Sequence, residues 1–66
     1  MKKILREETA FNGNTVRLEY VKGDLGNKYK IRFQKPEEYG FRFDSAWATI
    51  GEANSYFNKL IRGGMR

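Results

Sequence analysis

The sequence contains no cysteine and no histidine. That removes disulfide staples, thiolate nucleophiles, Cys/His zinc sites and imidazole acid–base chemistry together. With this inventory and so short a chain, an enzyme is not expected, nor are a cofactor and a bound metal. Cysteine-free composition fits the cytoplasm. No apolar run approaches the ~20 residues of a membrane-spanning helix, so no membrane partner is expected. Met1-Lys2-Lys3-Ile4-Leu5 resembles the start of a secretion signal, but Arg6, Glu7 and Glu8 follow at once and leave no apolar core region. The opening Met leads us to expect a whole small gene product. There is a single proline, Pro36, and it punctuates the chain.

What is present is charge and aromatic carbon. Sixty-six residues set an expectation of one domain, 1–66. A chain this short buries only about 60% of the surface its unfolded form exposes, so aromatics must supply much of a thin core. Five phenylalanines, four tyrosines and one tryptophan are available. Thirteen cations against eight carboxylates give a net charge of +5, which favours anionic partners.

Ile4 to Phe11 reads as a first strand. Asn12-Gly13 follows, a dipeptide suited to the two-residue hairpin turn that needs positive φ at both positions. Thr15 to Val21 alternates: Val16, Leu18 and Tyr20 on one face, Arg17 and Glu19 on the other. Lys22 to Asn27, with two glycines, is a loop. Lys28 to Lys35 alternates Tyr29, Ile31 and Phe33 with Lys28, Lys30 and Arg32, which makes one apolar and one strongly basic face. Pro36 ends that strand. Pro36 to Gly40 turns, and Phe41 and Phe43, with Arg42 between them, begin a fourth strand; Ser45 to Ala48 is ambiguous. Thr49 and Glu52 form a capping box. Ile50, Ala53, Phe57, Leu60 and Ile61 then make a helical apolar stripe, and Gly63-Gly64 stops the helix. The expected fold is α+β: an antiparallel meander of three to four strands packed on one C-terminal helix, β-β-β-β-α. The helix is expected to cover Leu18, Ile31 and Phe43.

The other sheet face carries the functional question. A two-residue turn at Asn12-Gly13 sets Glu8 opposite Arg17 and Arg6 opposite Glu19, both favourable pairs. Pairing Val21 with Lys28 sets Arg17 opposite Arg32 and Glu19 opposite Lys30. Pairing Phe33 with Phe41 completes a row of Arg17, Arg32 and Arg42 on adjacent strands. Like charges directly opposite cost stability, so such a row points to a bound anion, and the planar guanidinium suits phosphate. Pairing Phe33 with Phe43 instead sets Arg32 opposite Asp44 and dissolves the row, leaving a solvated charged face.

Trp47, just before the helix, is either a core plug between sheet and helix or an exposed stacking or partner-contact residue. Tyr39, in the last turn, is either a turn tyrosine lying over the sheet edge or a stacking or partner-contact residue. Glu37-Glu38 diverge in a turn and have no supporting base, so they are not an acid/base pair. Gly23-x-x-Gly26 lacks the Lys-Ser/Thr of a phosphate loop.

Lys28-Tyr29-Lys30-Ile31-Arg32, then Pro36, Gly40 and the Thr49-capped helix, resemble the single-stranded-DNA-binding domain of the transcriptional positive-cofactor family. That resemblance implies a dimer holding unpaired strands against basic sheets. The last three strands and helix also resemble the sheet-type DNA-binding domains of phage integrase arms. There Arg17, Lys30, Arg32 and Arg42 match the positions that enter a major groove.

Two functions are thus expected. The first is a small nucleic-acid-binding protein, with a phage or mobile element as its expected source and DNA ranked ahead of RNA. Arg17, Lys28, Lys30, Arg32 and Arg42 would take phosphates. The second is a protein-interaction module, an inhibitor or adaptor of a host protein, using an edge strand and the aromatics Tyr39 and Trp47. Either could be a monomer or a homodimer joined through a sheet edge.

Overall fold

The computed structural model describes residues 2–22 and 26–62. Four strands, β1 (Lys2–Thr9), β2 (Thr15–Val21), β3 (Tyr29–Gln34) and β4 (Arg42–Trp47), precede one helix, α1 (Ile50–Arg62). The strands pair antiparallel in chain order, and α1 packs across β2, β3 and β4, an α+β fold. The expected Gly63-Gly64 helix stop and most of the Gly23-x-x-Gly26 loop lie outside the described residues.

The core sits between the sheet and α1. Val16 and Leu18 from β2, Ile31 from β3, and Ala53, Phe57 and Leu60 from α1 are buried together with Ala10. Leu18, Ile31 and Phe57 are completely enclosed. Burial of each contributes about 1.5–3 kcal/mol. Ala53, Phe57, Leu60 and Ile61 recur at helical spacing and bring the apolar stripe onto the sheet, while Ile50 stays half exposed. The Thr49 hydroxyl oxygen accepts the Glu52 amide at 3.3 Å, the expected cap. The Glu52 carboxylate accepts from the Thr49 hydroxyl at 3.1 Å rather than from its amide.

The first hairpin differs from expectation by one residue. The Gly13 amide donates to the Ala10 carbonyl, and the Ala10 amide to the Asn14 carbonyl. The loop is therefore three residues, Phe11-Asn12-Gly13, with only Gly13 at positive φ (92°). Thr9 pairs with Thr15 and Glu7 with Arg17, and a bulge at Leu5 shifts the register again so that Ile4 meets Glu19. A slip of one residue exchanges the two faces of a strand. Arg6 consequently does not oppose Glu19. It lies on the helix side, over the Phe57 ring at 4.2 Å, and donates to Asn54 and Asn58.

The second hairpin has the expected register, with Arg17 opposite Arg32 and Glu19 opposite Lys30. The third adopts neither of the two uniform registers considered. Near Trp47 the pairs are Tyr29 with Trp47 and Ile31 with Ser45, but beyond a bulge at Asp44 they become Arg32 with Phe43 and Phe33 with Arg42. The bulge inserts one residue and reverses the facing of the outer half of β4. Phe43 is thereby placed on the face away from α1, 55% exposed, and the helix does not cover it.

Candidate nucleic-acid interface

Alternation and register together define the face opposite α1. Glu7, Arg17, Arg32 and Phe43 form one row across the four strands; Ile4, Glu19, Lys30 and Ala46 form the next. Lys2 lies on the same side, where it reaches Glu19, and Lys28 precedes β3 in phase with Lys30. Among the described residues, five cations (Lys2, Arg17, Lys28, Lys30, Arg32) thus accompany two carboxylates (Glu7, Glu19). Three of the five expected phosphate ligands, Arg17, Lys30 and Arg32, are brought side by side on the strands, with Lys28 just before β3.

Arg42 is not among them. Paired with Phe33, it projects to the opposite face, and its Nε and Nη2 bind the Glu38 carboxylate at 3.0 and 2.7 Å. The expected row of three arginines does not form; the Asp44 bulge puts Phe43 where Arg42 would stand. Nor are the two remaining arginines uncompensated. Glu19, wholly buried, accepts from Arg32 Nε at 3.0 Å and lies 3.7 Å from Arg17 Nη1 and 3.9 Å from Lys2 Nζ. Arg17 Nε also donates to Glu7 at 2.9 Å. A carboxylate between two opposed guanidiniums removes the repulsion that the sequence argument relied on.

Phenylalanines flank the arginines. Arg17 lies over the Phe41 ring at 3.9 Å and Arg32 near the Phe43 ring at 5.9 Å. Alternation puts Phe41 and Phe43 on one face and predicts the helix over Phe43, so neither ring is expected beside the arginines. One signal was available: Phe41, Phe43 and Trp47 on one face would crowd a layer covered by a single short helix.

Trp47 belongs to the sheet–helix junction. Its ring lies 5.3 Å from that of Tyr56, and its Nε1 donates to Ser45 Oγ at 2.9 Å. It is only half-buried, but its packing is that of the core plug rather than of an exposed stacking residue. Tyr39 is fully exposed in the turn before β4.

No family model, curated protein or solved structure matches this chain. Among the described residues no cluster of potential ligands suits a metal ion, and no helix is long and apolar enough to cross a membrane.

Proposed function

We propose that this is a small cytoplasmic nucleic-acid-binding protein that uses the sheet face opposite the helix, with DNA ranked ahead of RNA. The observation that carries the reading is the half-exposed Phe43 ring beside the paired arginines Arg17 and Arg32 on a face with more cations than carboxylates. Guanidiniums and ammoniums take phosphate oxygens, and release of condensed counterions drives the association. An exposed ring adds stacking with any base whose face is accessible, which favours unpaired strands over duplex. Arg17, Lys28, Lys30 and Arg32 are the proposed phosphate ligands and Phe43 the stacking residue. Arg42 drops out because it is turned away and held by Glu38.

The test is fluorescence anisotropy with labelled single-stranded DNA, duplex DNA and RNA across a salt series. The reading expects single strands to bind most tightly, with affinity falling steeply as salt rises. Absence of binding to every probe at micromolar protein at low salt would reject it. The second reading, a protein-binding module, retains Tyr39 but loses Trp47 from its aromatic patch, so fewer observations favour it.

A further inference from the structure

Glu19 is an unexpected residue to find on a face proposed to bind polyanions. It is the one charged side chain among the described residues that is completely buried, and it lies on the sheet face away from the apolar core. Arg17, Arg32 and Lys2 approach its carboxylate. Its two oxygens are engaged unequally. Oε1 accepts the Arg32 Nε at 3.0 Å, while Oε2 has only longer-range charge contacts to Arg17 and Lys2.

The way the arginines are held matters more than the pairing itself. Arg32 binds Glu19 through Nε, not through its terminal fork. Arg17 binds Glu7 through Nε in the same manner. Among the described residues, neither arginine uses Nη1 or Nη2 in a hydrogen bond, and the two stand directly opposite each other on β2 and β3. Without a carboxylate beneath them, opposed guanidiniums would swing apart. With one, both stay side by side: Arg17 Nη1 lies 3.7 Å from Glu19, and the other three terminal nitrogens make no hydrogen bond or ion pair among the described residues.

We infer that Glu19 is a positioning residue: it anchors Arg32 by Nε and holds Arg17 beside it, so that their terminal nitrogens form one preorganised fork for a single phosphate group of a nucleic-acid backbone. The inference rests on the proposed nucleic-acid function for the identity of the ligand, but the ordering of the guanidiniums is separate from it. Preorganisation lowers the entropy lost on binding. It also gives Glu19 an effect opposite in sign to its charge. Simple electrostatics says that neutralising a carboxylate on a polyanion-binding face strengthens binding. Positioning says that it weakens binding.

The test compares wild type with Glu19→Gln, Glu7→Gln and Arg32→Lys, using a labelled single-stranded oligonucleotide over a salt series. Glu19→Gln is expected to weaken binding about tenfold, the scale of one charge-assisted hydrogen bond, with little change in salt slope. Glu7→Gln, which releases Arg17 Nε in the same way, is expected to weaken binding too, by less because the Arg17–Glu19 contact remains. Arg32→Lys, which keeps the charge and loses the planar fork, is expected to weaken binding as much as Glu19→Gln does, again with the salt slope kept. Equal or tighter binding by Glu19→Gln, or wild-type affinity in Arg32→Lys, would overturn the inference. If Glu19→Gln does not fold, Arg32→Lys decides. If wild type binds no nucleic acid, the proposed function fails, and the ordering is read from the arginine Nε–Hε signals by NMR. A slowly exchanging, resolved Arg32 signal in wild type that collapses in Glu19→Gln, while the Arg17 signal is kept by Glu7, supports the positioning role; an averaged Arg32 signal in wild type rejects it.

Discussion

Glu19 accepts a hydrogen bond from Arg32 although the two do not face one another: Arg32 is opposite Arg17, and Glu19 is opposite Lys30. The contact is diagonal, across one step of the β2–β3 ladder. It lets a single buried carboxylate serve two arginines from adjacent strands. Stability and the proposed binding on this face are therefore coupled through the same side chains.

Arg32→Ala leaves Glu19 buried with only its longer contacts to Arg17 and Lys2. We expect it to destabilise the fold by about 1–3 kcal/mol, the cost of a buried acceptor losing its partner. Urea denaturation checks this, and binding by the variant should be measured at a temperature where it is fully folded.

Phe43→Ala separates binding from folding. The ring is half exposed and lies outside the core, so stability should change by no more than about 0.5 kcal/mol. Affinity for single-stranded nucleic acid should fall by about 1–3 kcal/mol, the contribution of one stacked base, while duplex binding changes little. Anisotropy with matched single- and double-stranded probes reads the difference.

Phe57→Ala should do the reverse. Phe57 is fully enclosed between the sheet and α1 and also carries the Arg6 guanidinium on its ring. Truncation of a buried phenylalanine costs about 3–5 kcal/mol, a large part of what a domain this small has. Circular dichroism should find the variant largely unfolded at 37 °C.

Gly13→Ala tests the first hairpin. Gly13 has φ of 92°, and a Cβ there would come within 3.3 Å of the Pro36 ring. Strain and crowding together should cost about 1 kcal/mol or more. The thermal midpoint should fall with no loss of nucleic-acid affinity at low temperature.

The sequence announced the elements well because each carries a local signal. Alternation in Thr15 to Val21 gave β2 its observed bounds, and the Thr49 cap gave α1 its start. The β2–β3 register was legible because Val21 and Lys28 close the loop between them. The two outer strands were misread for a shared reason. Leu5 and Asp44 are bulge residues, and a bulge changes facing without a marker such as glycine or proline. The extra residue at Asp44 moved Phe43 out of the core and Arg42 away from Arg32. Asn12-Gly13 did mark a turn, but its three-residue form shifted β1 by one and sent Arg6 to the helix side. The role of Glu19 was illegible because it depends on a diagonal contact, which pairing rules do not supply.

The most direct test of the central claim compares two arginines of equal charge and opposite facing. Arg32→Ala and Arg42→Ala each remove one cation and break one arginine–carboxylate pair. Single-stranded DNA binding should be measured for both against wild type across a salt series. The account predicts that Arg32→Ala weakens binding at least about tenfold and lowers the log–log salt slope by about one. Arg42→Ala should stay within about twofold of wild type with the slope intact. Equal losses in the two variants, or no loss in Arg32→Ala, would contradict the assignment of nucleic-acid binding to the sheet face opposite the helix.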